Sequence, residues 1–398
     1  MQNIIRHNKR LSLILNGFYT VFSLACSGTL MQTFLATAGV EVHLIHIHTT
    51  LIQASNVITL LVCSRFTSSD HAIKKCALTS IPSALLYLCY LPFCFRSADP
   101  KTAFLFLALI SVFHAMVHSL RTVYNYSIPY LLYPAEDYGT FSAVIGILVG
   151  FISLLMGYAI SWLTKRVPFV ILMSGAFLLA AFLEFLSIWV TLLQKSILPE
   201  DTVQTASKAG KHMSVAKLLT HPTFLPLVPA TLLRGFASGT IVVLATLAFD
   251  IGYDETVTTA MVTVQSLTTL ISCAIIGVML KHMSARIPVF IGSLSYLLLP
   301  LLFVGNSTVF LTVYALIFFG KTLIDYGVPA FLRYVVPLEI AGSYNVWRMM
   351  LHNAGSVLAT SLAAVLAPET LILITVISSV LSGCGFFFSR VLKKQQYS

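Results

Sequence analysis

Apolar residues in this chain are grouped into runs of roughly 20, separated by short polar stretches. A run of that length, wound as α-helix at about 1.5 Å per residue, matches the ~30 Å hydrocarbon core of a bilayer. Twelve runs fall at about 11–38, 42–63, 76–95, 103–132, 139–163, 168–193, 223–249, 257–280, 287–305, 309–335, 344–367 and 370–389. Lipid offers the backbone no hydrogen-bond partner, so each run must satisfy its own amides as a helix. The short alternating segments of a membrane barrel are absent. The pattern predicts an all-α polytopic membrane protein with twelve transmembrane helices.

Composition agrees. Of 398 residues, 57% are hydrophobic and 10% charged, with a mean hydropathy of +0.89. A soluble domain carries about 25% charged residues. The net charge of +10 does not mark a nucleic-acid binder, because the basic residues form no contiguous patch beside aromatics. They follow membrane topology instead. With the N-terminus inside, fifteen Lys and Arg fall in cytoplasmic loops and tails and four on the opposite face, the remaining five of the 24 being buried. This bias predicts a multi-pass protein of the cell inner (plasma) membrane with both termini cytoplasmic. The apolar run after the basic start Met1–Arg10 is too long for a signal-peptide core and reads as the first permanent span. The longest polar stretch, Lys195 to His221, separates six runs from six. The expected organisation is an N-terminal six-helix bundle over 1–194, a cytoplasmic linker over 195–222 and a C-terminal six-helix bundle over 223–398. Within the linker, Met213, Ala216 and Leu219 suit either a short interfacial helix or a flexible connector. The seven cysteines are scattered singly with no metal-ligand spacing, so neither a metal nor a cofactor is expected.

The two halves repeat each other. Tyr126-Ser127-Ile128-Pro129-Tyr130-Leu131-Leu132 after the fourth run corresponds to Tyr326-Gly327-Val328-Pro329-Ala330-Phe331-Leu332 in the tenth. Pro134, Glu136, Gly139 and Thr140 then match Pro337, Glu339, Gly342 and Ser343 in order. A second correspondence joins the loop after run 2 (Phe66 to Lys75) to that after run 8 (Gly277 to Arg286). With these loops the chain resembles the major facilitator superfamily over essentially its whole length. That family carries G-x-x-x-D-R-x-G-R-[KR] between helices 2 and 3 and a looser copy between 8 and 9. Asp70, Lys74 and Lys75 match the first copy, while Phe66, His71 and Ile73 depart from it. Gly277 and Arg286 match the second, where Lys281 replaces the acid. The resemblance implies two pseudo-symmetric six-helix bundles. It also implies a gating role for Asp70 at the positive N-terminal end of the eleventh helix, with Lys74 and Arg286 nearby. Glu136 and Glu339 would pair with basic loop residues. The Gly-Pro element of drug antiporters in helix 5 is missing, since Phe151 follows Gly150. Gly146, Gly150 and Gly157 read as close-packing positions.

Charge inside the runs carries the chemistry. Arg121, Arg234, Lys321, Arg333 and Arg348 are set against only Glu184 and Asp325. A charge at bilayer depth costs about 2.5–3.5 kcal/mol even on gentle scales, and so marks a cavity, a partner or a pathway. The resemblance implies that helices 1, 4, 7 and 10 line a central cavity, and Arg121, Arg234 and Lys321 lie near mid-span of three of them. His114, His118, Arg121 and Asn125 are spaced 4, 3 and 4, so they share one helical face. That face is either a functional stripe or a structural histidine pair. Lys321 and Asp325, four apart, can neutralise each other or form a proton switch in which Asp325 alternates between a cation and a proton. Glu184 is a proton site or an interhelical hydrogen-bonding group. Asn345, Arg348 and His352 share a face nearer the cytoplasmic end.

Together these features lead us to expect a secondary active transporter, not an enzyme, using alternating access and protons to move an organic anion or phosphorylated metabolite. Arg121, Arg234, Lys321, His118 and Asn125 are the expected substrate contacts. Asp325, Glu184 and His114 are the expected proton-coupling groups. The expected partners are a small-molecule substrate, protons and the lipid bilayer, without nucleic acid, and the expected state is a monomer. Efflux of amphipathic drugs is the alternative, and a non-transporting sensor with a carrier fold is the next.

Overall fold

The computed structural model describes residues 2–26, 30–31, 34–35, 39–63, 71–95, 99–125, 127–164, 166–199, 224–250, 253, 255–336, 338–363 and 365–389. Among the described residues, twelve long helical segments follow one another and no strand occurs. They are α1 (Gln2–Cys26), α2 (Val42–Cys63), α3 (Ala72–Cys89), α4 (Pro100–Asn125), α5 (Ala135–Thr164), α6 (Phe169–Leu192), α7 (Leu227–Asp250), α8 (Glu255–His282), α9 (Arg286–Leu294), α10 (Ser307–Val335), α11 (Leu338–Ala363) and α12 (Pro368–Phe388). Nine candidate spans among the described residues are long and apolar enough to cross a bilayer. Residues 200–223, most of the expected linker, lie outside the described residues.

Local chemistry sets where the helices begin and break. Asn306 caps α10, its side-chain oxygen accepting from the amides of Thr308 at 2.8 Å and Val309 at 3.4 Å. The start of α1 is tied to the chain after α6 by a reciprocal pair. Asn8 donates to the Lys195 carbonyl at 2.7 Å and accepts from the Lys195 amide at 3.0 Å. Two expected spans are less regular than their apolar runs. The fourth stops at Asn125 and resumes as a short helix, Ile128–Leu132, with Pro129 in its first turn; proline fits a first turn because no amide is needed there. The ninth is α-helical only to Leu294 and continues as a 3₁₀-helix over Ser295–Val304. Pro300 inside that stretch has no amide to donate. Ser295 also donates its hydroxyl to the Gly292 carbonyl at 2.8 Å, competing for an acceptor of the regular ladder.

Packing follows one rule twice. In the first half α1 packs on α5 and α6, α3 on α4 and α6, and α2 on α4. In the second, α7 packs on α11 and α12, α9 on α10 and α12, and α8 on α10. Adding six to each helix number maps the first set onto the second. Two principal contacts cross between the halves, α2 with α11 and α5 with α8, and the same operation exchanges them. The fold is therefore two pseudo-symmetric six-helix bundles. Small residues allow the close approaches: a Cβ on Gly150 of α5 would lie 2.8 Å from the Leu270 Cα of α8.

A tight approach within the second half predicts a stability effect. A Cβ on Gly355 of α11 would run into the Leu232 carbonyl and lie 2.7 Å from the Phe236 amide nitrogen, both in α7. Gly355→Val should cost about 1–3 kcal/mol by overpacking, read as a lower melting temperature in detergent. Gly175→Ala, with nothing within 4 Å of the added carbon, should leave it unchanged.

Candidate functional site

In the second half three charged side chains meet. Arg234 of α7 donates through Nη2 to Asp325 Oδ1 at 2.8 Å, and Lys321 of α10 donates to Oδ2 at 2.5 Å. One carboxylate thus joins two helices and two cations, leaving an excess of one positive charge. Arg234 Nη1 is buried with no hydrogen-bond partner among the described residues. The group is not sealed: the Asp325 side chain is 34% exposed and Lys321 27%. Lys321 and Asp325 line a cavity of about 410 Å³ between α10, α8 and α5, whose wall includes Ser153, Gln265, Thr269 and Tyr326. A smaller cleft of about 10 Å³ shares them and adds Arg234, Tyr296 and Ser379. On the α11 side, Gly235 lies against the His352 backbone.

The first half holds a different arrangement. Arg121 of α4 donates from Nη1 to both oxygens of Glu184 on α6, at 2.8 and 2.9 Å. Ser83 of α3 donates to Oε1 at 2.8 Å, and Ser187 donates to Oε2 at 3.2 Å. The Arg121 guanidinium lies 4.2 Å from the centre of the Tyr19 ring of α1. Arg121 and Glu184 are both buried, at 4% and 1% exposure. His114 is buried beside them, 3.1 Å from the Ser83 hydroxyl. That hydroxyl has one proton, committed to Glu184, so His114 faces it with a protonated Nε2. Arg121 and Arg234 therefore do not point into one shared void: Arg121 is enclosed by α1, α3 and α6.

His118 and Asn125 behave otherwise. On α4 the apolar residues Leu105, Leu109, Phe113 and Met116 are exposed on the lipid side. His118 and Asn125 are also exposed, yet they lie two and nine residues beyond Met116, about 180–200° around the helix. They lie across the helix from these apolar residues, on the same face as Arg121.

Of the expected gating residues, Asp70 lies outside the described residues, as do the side chains of Glu136 and Glu339. Lys74 is exposed. Arg286 stays within the second half, donating to the Phe387 carbonyl at 3.4 Å. Among the described residues Arg333 does cross the halves: it sits 3.7 Å from the Tyr130 ring centre and donates to the Tyr133 carbonyl at 3.1 Å. The repeat carried the signal for this contact: an offset of 200 relates 126–132 to 326–332, so Tyr133 and Arg333 are equivalent positions. Equivalent residues close to a two-fold axis face each other.

The profile of the Major Facilitator Superfamily matches residues 13–360. No curated protein shows significant sequence similarity to the chain. Among solved structures, the transporter FucP in its outward conformation is similar with a TM-score of 0.71 at 12% identity, covering 96% of this chain and 99% of that one. An outward-facing bacterial homologue of the iron transporter ferroportin gives 0.69 at 13%, covering 97% and 99%. The human organic anion transporter MFSD10 gives 0.66 at 13%, covering 97% and 99%. Identities this low establish the fold alone.

The enclosed pair in the first half makes its own prediction. Glu184→Ala should strand a buried guanidinium and cost about 3–5 kcal/mol, whereas Arg121→Met combined with Glu184→Leu should recover most of that. Thermal unfolding of the wild type and the two purified variants distinguishes the cases. A primary substrate contact at Arg121 would instead show as lost binding at unchanged stability.

Proposed function

The chain belongs to the major facilitator superfamily, and we propose that it is a proton-coupled carrier of small organic anions working by alternating access. Transport of a small solute across a membrane follows from the family. The finer reading rests on one observation: Asp325 is shared by Arg234 and Lys321 beside a polar cavity. Two positive charges against one leave a site that attracts an anion, and the planar guanidinium suits a carboxylate or phosphate. The titratable and charged groups around Asp325 are Arg234 on α7, Cys273 on α8, Tyr296 in the 3₁₀ stretch, Lys321 and Tyr326 on α10, and His352 on α11.

The proposed cycle is a competition. A proton on Asp325 releases both cations to the arriving anion. Loss of that proton on the other side restores the carboxylate, which displaces the cargo. Anion affinity should therefore rise as pH falls. Energy would come from ion gradients, each charge moved through 100 mV being worth about 2.3 kcal/mol. The two halves, 1–194 and 223–398 joined through 195–222, would rock about the Arg333–Tyr133 contact at the end bearing both termini. By the Lys and Arg bias that end would face the cytoplasm, and the proposed carrier is a monomer of the inner membrane. Arg121 and Glu184 then hold the first half together, while His118 and Asn125 face the cargo. A drug-efflux cavity would be mainly aromatic and apolar. Among the described residues, Val149 and Phe318 are the purely apolar side chains lining the large cavity.

Ligand-induced thermal stabilisation of purified protein tests this reading with anionic, neutral and cationic metabolites at two pH values. Arg234→Gln and Lys321→Met should each weaken anion binding by about 10–100-fold, the worth of a charge-assisted hydrogen bond. Stabilisation by cations or neutral sugars alone, or unchanged anion affinity in both folded variants, would overturn it.

A further inference from the structure

The hydrogen-bonding capacity of the large cavity says more about the cargo than its charge does. We propose that the cavity walled by α5, α8 and α10 selects an anion that also carries hydroxyl groups, a hydroxycarboxylate or sugar acid, with Gln265 and Thr269 as specificity-determining residues. The proposal rests on the anion reading above and extends it to the carbon skeleton of the cargo.

Beyond Lys321 and Asp325, six lining residues can hydrogen-bond without charge: Ser153, Gln265, Ser266, Thr269, Thr322 and Tyr326. Neutral hydrogen-bonding groups at bilayer depth carry a cost unless they are matched. Existing bonds show what several of them still require. Tyr314 donates its hydroxyl to Gln265 Oε1 at 3.4 Å, which leaves the Gln265 amide N–H groups as donors toward the cavity. Thr269 donates to the Gln265 carbonyl at 2.8 Å, and Thr322 donates to the Phe318 carbonyl at 2.9 Å. The single proton of each threonine is thereby committed, so its oxygen can only accept. The wall therefore offers donors at Gln265 and acceptors at Thr269 and Thr322.

A carboxylate or phosphate alone accepts but does not donate, and would leave both threonine oxygens unmatched. An alcohol group does both. A hydroxylated anion is thus complementary at each end, its charge at Lys321, which Asp325 joins to Arg234, and its hydroxyls along α8. The volume of about 410 Å³ lies in the range of small-molecule sites.

The test uses the full-length protein in detergent, with thermal stabilisation read for gluconate and glycerate, for hexanoate and propionate of matched chain length, and for glucose. The proposal expects gluconate or glycerate to stabilise at concentrations at least about tenfold below hexanoate or propionate, one hydrogen bond's worth. Gln265→Leu and the similarly shaped Thr269→Val should each remove about that factor for the hydroxylated anions and leave hexanoate unchanged. Equal stabilisation by gluconate and hexanoate overturns the hydroxyl inference and keeps the anion reading. Glucose acting as well as gluconate overturns the anion reading itself. Silence from all five probes overturns both.

Discussion

A carboxylate in the middle of a bilayer must be neutralised, and Asp325 is neutralised twice. Arg234 reaches it from α7 and Lys321 from one turn away on α10. That double bond of charge fastens two helices of the second half together at the level of a polar cavity. It also leaves more positive than negative charge beside that cavity, because the two cations have one acid between them. In water such an excess would matter little. In a low-dielectric surrounding it would favour the negative guest proposed above. In the proposed account the family supplies the motion and this triad the selectivity.

The two halves share a plan but handle charge differently. Under the six-helix offset each packing contact of one bundle has a counterpart in the other. The first bundle encloses a balanced pair, Arg121 with Glu184, beneath Tyr19 and among serine hydroxyls. The second exposes an unbalanced group. Symmetry of fold thus goes with asymmetry of charge, and the proposed cargo site falls in the bundle whose charge is unbalanced. The halves meet through Gly150 against Leu270 and through Arg333 over Tyr130.

Run length and composition made the helix count legible, because a lipid solvent imposes a length and forbids open backbone. The repeat was legible as well, down to the offset that places Arg333 opposite Tyr133. The pairing of Lys321 with Asp325 could be read from helical spacing alone. Two other partnerships could not. Arg121 and Glu184 are separated by 63 residues, and Arg234 and Asp325 by 91, so only tertiary packing decides them. Apolar composition likewise could not foresee the 3₁₀ stretch of the ninth segment, where a proline and a serine hydroxyl outweigh the pull toward regular helix.

The most direct measurement is anion binding by Asp325→Asn as a function of pH. Removing the competing carboxylate while keeping its shape should free Arg234 and Lys321, so anions should bind more tightly than to the wild type and with little dependence on pH. Binding that weakens in this variant, or that keeps the wild-type pH dependence, would contradict a cargo site governed by competition for those two cations.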